Sequence, residues 1–115
     1  MATIAATSLT SIDPVTVTET TLDGTDTFTY NVSKTQYLVL RNNTAGALTP
    51  NIDGDGATTQ YVAGIGDVDL TGGYTFASIG IGDTVIVDLA DIKAYLSGTI
   101  AMTGGTGLTA SLLEV

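Results

Sequence analysis

Turn signals cut this chain so often that no run between them is long enough for a stable helix of ordinary length, with one exception near residue 90. They recur at intervals of about eight to twelve residues, the spacing of short strands in a sandwich or barrel. The runs between them are β-branched. The chain carries 22 threonines and 14 glycines, with frequent valine and isoleucine, while Glu, Lys, Gln and Arg are scarce. Threonine packs its branched Cβ on a pleated surface and leaves its hydroxyl to water, so it can cover an outer sheet face without adding charge. The expected fold is all-β, a β-sandwich or small barrel of about 8–9 short, mostly antiparallel strands.

The expected strands begin with residues 15–21, where Val15 and Val17 oppose Thr16, Thr18 and Thr20, and a reversal follows at Asp23-Gly24. Residues 27–32 place Phe28, Tyr30 and Val32 on one inner face. Residues 36–41 hold the run Tyr37-Leu38-Val39-Leu40, which reads as a central strand covered on both sides. Residues 47–52 contain Pro50, which cannot donate to a ladder and marks an edge or bulge. Further strands are expected at 58–63, 68–70, 74–79 and 84–88. Residues 99–103 and 108–115 should close the chain as a hairpin around Gly104-Gly105-Thr106-Gly107. The exception is the segment near 89–97. Leu89, Ile92 and Leu96 share a helical face, Asp88 can cap the start and Gly98 can supply a left-handed stop, which predicts a helix of about two turns.

At 115 residues the chain is the size of one domain, and 43% hydrophobic residues with a mean hydropathy of +0.35 can fill a core. Residues 14–115 read as a single β domain. Residues 1–13 read as an extended arm, dotted with Ile4, Leu9 and Ile12 and expected to stay loose unless a partner holds it. The absence of cysteine and histidine excludes disulfides, thiolate metal sites, cysteine nucleophiles and imidazole proton shuttles. Twelve acids against three bases give a net charge of −9, which repels phosphate backbones and anionic headgroups, so nucleic acid and membrane surfaces are not expected partners. The opening residues show neither a basic start nor a long apolar run, and no 18 apolar residues run together, so the expected product is soluble and made in the cytoplasm. The sequons at Asn31 and Asn42 then read as turn and strand polar residues.

Few residues carry chemistry. Asp53-Gly54-Asp55-Gly56 has the paired carboxylates of part of a calcium loop, but the twelfth residue counted from Asp53 is Gly64 where such a loop needs a bidentate Glu. Asp53 and Asp55 are therefore only weak metal candidates, with a structural turn preferred and no cofactor expected. Asp67 and Asp69 project from one strand face, the minimum equipment of a two-carboxylate enzyme, yet no Arg, Lys or His lies nearby to orient a proton transfer. Asp88 and Asp91 suit the first turn of a helix. Gly64-Ile65-Gly66 and Gly80-Ile81-Gly82 lack the third glycine and the Lys-Ser/Thr of phosphate cradles and read as turns. Among five tyrosines, Tyr30 and Tyr37 fall in apolar alternation, whereas Tyr61 and Tyr74 border glycine turns and are candidates for a subunit contact, or for stacking on a sugar ring. No catalytic residue is assigned, and the chain is not expected to be an enzyme.

Three stretches carry a resemblance: Pro14-Val15-Thr16-Val17-Thr18; the run from Tyr37-Leu38-Val39-Leu40-Arg41 through Pro50-Asn51-Ile52-Asp53-Gly54; and Tyr95-Leu96-Ser97-Gly98 with Thr103-Gly104-Gly105-Thr106-Gly107-Leu108. In composition and local phrasing the chain resembles small structural proteins of tailed-bacteriophage virions, especially head decoration or cement proteins. The resemblance implies a non-enzymatic protein on the outer capsid surface, usually a homotrimer, that stabilises the shell and takes the major capsid protein as partner. It also implies contact through an N-terminal arm, which makes Ile4, Leu9 and Ile12 the capsid-contact candidates. The alternatives are a carbohydrate- or receptor-binding β-sandwich module, or another virion component such as a tail or connector protein. The acidic balance fits an outward, solvent-facing position away from a packaged genome.

Overall fold

Alternation in residues 36–41 decides which way the molecule faces. In a computed structural model, which describes residues 2–9 and 14–115, β4 (Gln36–Arg41) buries Gln36, Leu38 and Leu40 on one side and leaves Tyr37 and Val39 half-buried on the other. The strand is central, but its second face is only partly covered.

Around it lie β1 (Ala6–Ser8), β2 (Glu19–Thr21), β9 (Thr84–Asp88) and β11 (Thr109–Glu114), in the order β1-β11-β4-β9 with β2 also paired to β11. A second sheet has the order β3 (Thr25–Phe28), β10 (Ile100–Thr103), β5 (Asn51–Gly54), β8 (Tyr74–Thr75). The ladders between these strands are antiparallel except β1 on β11. Partners in register share a face, so Leu38, Leu40, Ala110 and Leu112 line one sheet while Phe28, Ile52, Ile100 and Met102 line the other. All eight are buried in one core cluster, which gives an all-β sandwich.

Several segments differ from the pattern read in the sequence. The chain crosses between sheets at Leu22–Gly24 and again at 104–108, so the expected reversal and hairpin are corners instead. Leu22 N donates to Leu108 O at 2.9 Å and Gly107 N to Leu22 O at 2.8 Å, tying the two crossings side by side. Both leucines are buried there, and Gly107 takes a φ of +95° that a side chain would strain. Residues 15–18 form no ladder, and only Glu19–Thr21 pairs. Strand β3 stops at Phe28, so Tyr30 is half-buried against the core and Val32 is 82% exposed instead of inward. Strand β5 begins just after Pro50, in keeping with that residue's missing N–H. The helix is a 3₁₀ segment (Leu89–Tyr95) with a kink at Ile92; Asp88 caps it by accepting from Ala90 N at 3.0 Å, and Gly98 has a φ of +77°. Its inward residues Leu89 and Ile92, with Leu96, join the core as the periodicity predicts.

The largest correction concerns the arm. Thr3 bridges Thr27 in parallel, Thr27 N donates to Ala2 O, Ile4 N donates to Thr27 O, and Leu9 N donates to Glu114 O. Residues 2–4 therefore extend the second sheet at β3, and β1 then extends the first sheet at β11. Ile4 is 2% exposed and belongs to the core, because its side chain fills the open side of the sandwich between the two edges it joins. Residues 2–9 belong to the β domain; residues 10–13 lie outside the described residues.

One polar residue organises the opposite end. Asn42 is fully buried; its Nδ2 donates to Gly46 O (3.0 Å) and Ile79 O (2.9 Å), and its Oδ1 accepts from Thr44 N (2.9 Å) and Thr44 Oγ1 (2.6 Å). Its backbone also bonds Asp83 O and Gly82 N. Every hydrogen-bonding group of this side chain is used, and two loops are fixed to β4 by it. Asn42→Ala leaves buried partners unsatisfied, so it should lower unfolding free energy by about 2–4 kcal/mol, measurable as a lower urea midpoint with an unchanged slope.

Candidate functional site

Between β5 and β8 the chain leaves the sandwich as a hairpin, β6 (Thr59–Val62) and β7 (Gly66–Asp69), which forms a two-stranded sheet of its own. Its base is clamped: Ala57 and Leu70 are buried, and Leu70 N donates to Thr58 O at 2.9 Å. The tip turns where Ile65 N donates to Val62 O, with Gly64 at a φ of +85°, a conformation that favours glycine. Register places Tyr61 opposite Asp67 and Thr59 opposite Asp69 on one face, with Gln60 and Val68 on the other. Tyr61 is 70% exposed and Ile65 76% exposed. The hairpin therefore presents an aromatic ring and an aliphatic tip to solvent, bordered by two carboxylates.

The other candidates from the sequence are spent on structure. Gly54 lies under the end of the 3₁₀ segment, where a side chain would run into the carbonyl oxygens of Tyr95 and Ser97. Beside it, Asp55 accepts from Thr99 N at 2.8 Å while its own N–H donates to Thr99 O, so the carboxylate fastens the helix exit to β5. Asp53 is half-buried in the ladder opposite Ala101. Among the described residues no three His, Cys, Asp or Glu side chains gather where they could hold a metal ion. Tyr74 is half-buried and packs edge-on to Phe76 at 5.1 Å and against Tyr95 at 5.9 Å, an inward aromatic group with little ring left for a subunit or a sugar. Ile4 sits in the core, Leu9 is half-buried with its amide tied to Glu114, and Ile12 lies outside the described residues.

The two hairpin acids stay together on one face, as their spacing predicts. Asp69 accepts from the Thr71 hydroxyl (2.7 Å) and the Thr71 amide (2.9 Å), and these bonds hold its carboxyl below the ordinary 3.8. A general acid needs the opposite shift. An open cleft of about 540 Å³ lies beside β3, lined by Thr3, Thr27, Thr29, Tyr30, Ser97 and Thr99 among others; no charged side chain lines it, and it offers hydroxyl hydrogen bonds. Ile65 and Ile86 were not singled out by the sequence reading, yet both are exposed apolar side chains. The position of Ile65 between two glycines, where a polar residue is usual, is the signal that marks it.

No protein-family model, curated protein or solved structure matches the chain. Among the described residues no helix is long and apolar enough to cross a membrane.

Because the folded-state value of Asp69 is depressed, its contribution to stability is present above the unfolded value and is lost as pH falls through the folded one. Carbon-detected NMR should find Asp69 titrating below 3.8, and Thr71→Val should move its midpoint upward toward that value.

Proposed function

We propose that the chain is a non-enzymatic structural protein that docks on the outer surface of a phage capsid and reinforces it, as a head decoration protein does, with the major capsid protein as its partner. The observation that supports this reading is the clamped hairpin with Tyr61 and Ile65 exposed at its end. Tyrosine and aliphatic side chains held on a rigid element are what the centre of a protein contact requires, since little conformational freedom is lost on docking. The arm does not supply the anchor in this reading, because Ile4 is committed to the core. The hairpin takes its place.

Two further features support a structural role over chemistry. The carboxylates of Asp26, Asp55, Asp69 and Asp88 each accept backbone amides, so they serve turns, caps and strand ends. The net charge of −9 suits a protein displayed on the outside of a particle, in solvent and away from nucleic acid. Against a carbohydrate-binding module stands the packing of half-buried Tyr74 on Phe76 and Tyr95, which leaves Tyr61 as the one largely exposed tyrosine among the described residues, where sugar platforms stack several rings.

The test is co-sedimentation with empty phage heads. Tyr61→Ala combined with Ile65→Ser should weaken binding by about 30-fold or more, the loss expected of contact hot spots, while the thermal melt stays within about 2 °C of the parent. Undiminished binding of the double variant would overturn the hairpin as anchor. Retention of the parent on a polysaccharide column, abolished by Tyr61→Ala, would favour the carbohydrate-binding reading instead.

A further inference from the structure

Sheet edges attract other strands, and among the described residues most edges of the two packed sheets end in pieces of three residues or fewer. The outer edge of β3 is paired by residues 2–4, β11 is paired by β1 and β2, and β8 is two residues long. Among the described residues of the two packed sheets, the long edge left open is β9, Thr84-Val85-Ile86-Val87-Asp88. Apart from Asp88 at its end, whose carboxylate is turned to Ala90 N, none of the usual protections lies inside it: no proline, no glycine, no lysine and no bulge in its five-residue register with β4. Asn42 N donates to Asp83 O, so by the alternation of an antiparallel ladder Val85 and Val87 turn their amides toward β4, and Thr84, Ile86 and Asp88 present theirs to the open side.

We propose that this edge pairs with the same edge of a second copy of the chain, antiparallel and about a two-fold axis at Ile86, joining two sheets into one. The register argues for a self-contact. With Ile86 opposite Ile86 of the second copy, Val85 meets Val87 and Thr84 meets Asp88, so no carboxylate faces another despite the acidity of the chain. Ile86, 63% exposed on the outer face beside half-buried Val39, gains an apolar partner. Val85 and Val87 are half-buried against the core, and the second copy covers them further. A shift of one residue would pair Ile86 with a valine and turn the core face of one copy to the outer side of the other, losing both matches. The contact is one short strand pairing, so the dimer forms reversibly and at high protein concentration. It needs neither the hairpin nor a capsid, and it is independent of the docking role.

The chain contains no cysteine, so a single introduced thiol reports geometry directly. Sedimentation equilibrium of the full chain up to about 1 mM should show reversible doubling of the 11.7 kDa mass. Ile86→Cys should cross-link to a dimer on mild oxidation, whereas Val32→Cys, more exposed but outside β9, should not. Ile86→Lys sets two like charges on the axis and should weaken the dimer by about tenfold or more, with circular dichroism and melting confirming that the fold is kept. A monomer at the highest concentration, a trimer, or equal cross-linking of both cysteine variants would overturn the proposal.

Discussion

A sandwich of two small sheets leaves its sides open, and closing the sides around Leu38, Leu40, Leu112, Ile52, Ile100 and Met102 is the constraint on which this structure depends. Three pieces of chain do it. The paired crossings at Leu22 and Leu108 carry two strands around one corner with their backbone bonds unbroken. Residues 2–8 bridge from the edge of β3 to the edge of β11 and insert Ile4 between them. The 3₁₀ segment brings Leu89, Ile92 and Leu96 against the remaining opening. Burying side chains of this size contributes about 1.5–3 kcal/mol each, so these closures matter in a domain of marginal stability.

Much of this was legible in the residues, and what was not has definite causes. Strand content, the central place of residues 36–41, strand 84–88 and the cap-to-stop frame from Asp88 to Gly98 follow from local pattern, which is where sequence signals are strongest. Sheet membership does not. The glycine run at 104–107 looks the same whether the chain doubles back or crosses to the other sheet, because that choice is made by Leu22 from the far end of the chain. Ile4 in an Ala/Thr/Ser-rich stretch gives no periodicity, and its burial depends on two edges more than twenty residues away. Val32 faces solvent although the alternation continues to it, because β3 loses its partner after Phe28.

The candidate site divides the same way. The turn at Asp53–Gly56, the shared face of Asp67 and Asp69 and the border position of Tyr61 could be read from spacing. That Tyr74 turns inward and Tyr61 outward could not, since both flank glycines; register with Ile52 decides it for Tyr74, and the hairpin's isolation decides it for Tyr61. Asp55 and Asp69, which looked like possible chemistry, accept backbone amides, and three of the exposed apolar side chains, Tyr61, Ile65 and Ile86, stand on the hairpin and on β9.

Integration of the first residues into the core separates this account from one in which a free arm waits for a partner. Chemical denaturation of a chain lacking residues 2–8 tests it most directly. The deletion removes Ile4 from the core, takes a strand from β11 and strips the Ala2 amide from buried Asp26, so unfolding free energy should fall by about 3 kcal/mol or more. A deletion variant with the parent's urea midpoint would contradict it, and would return those residues to the role of a detachable arm.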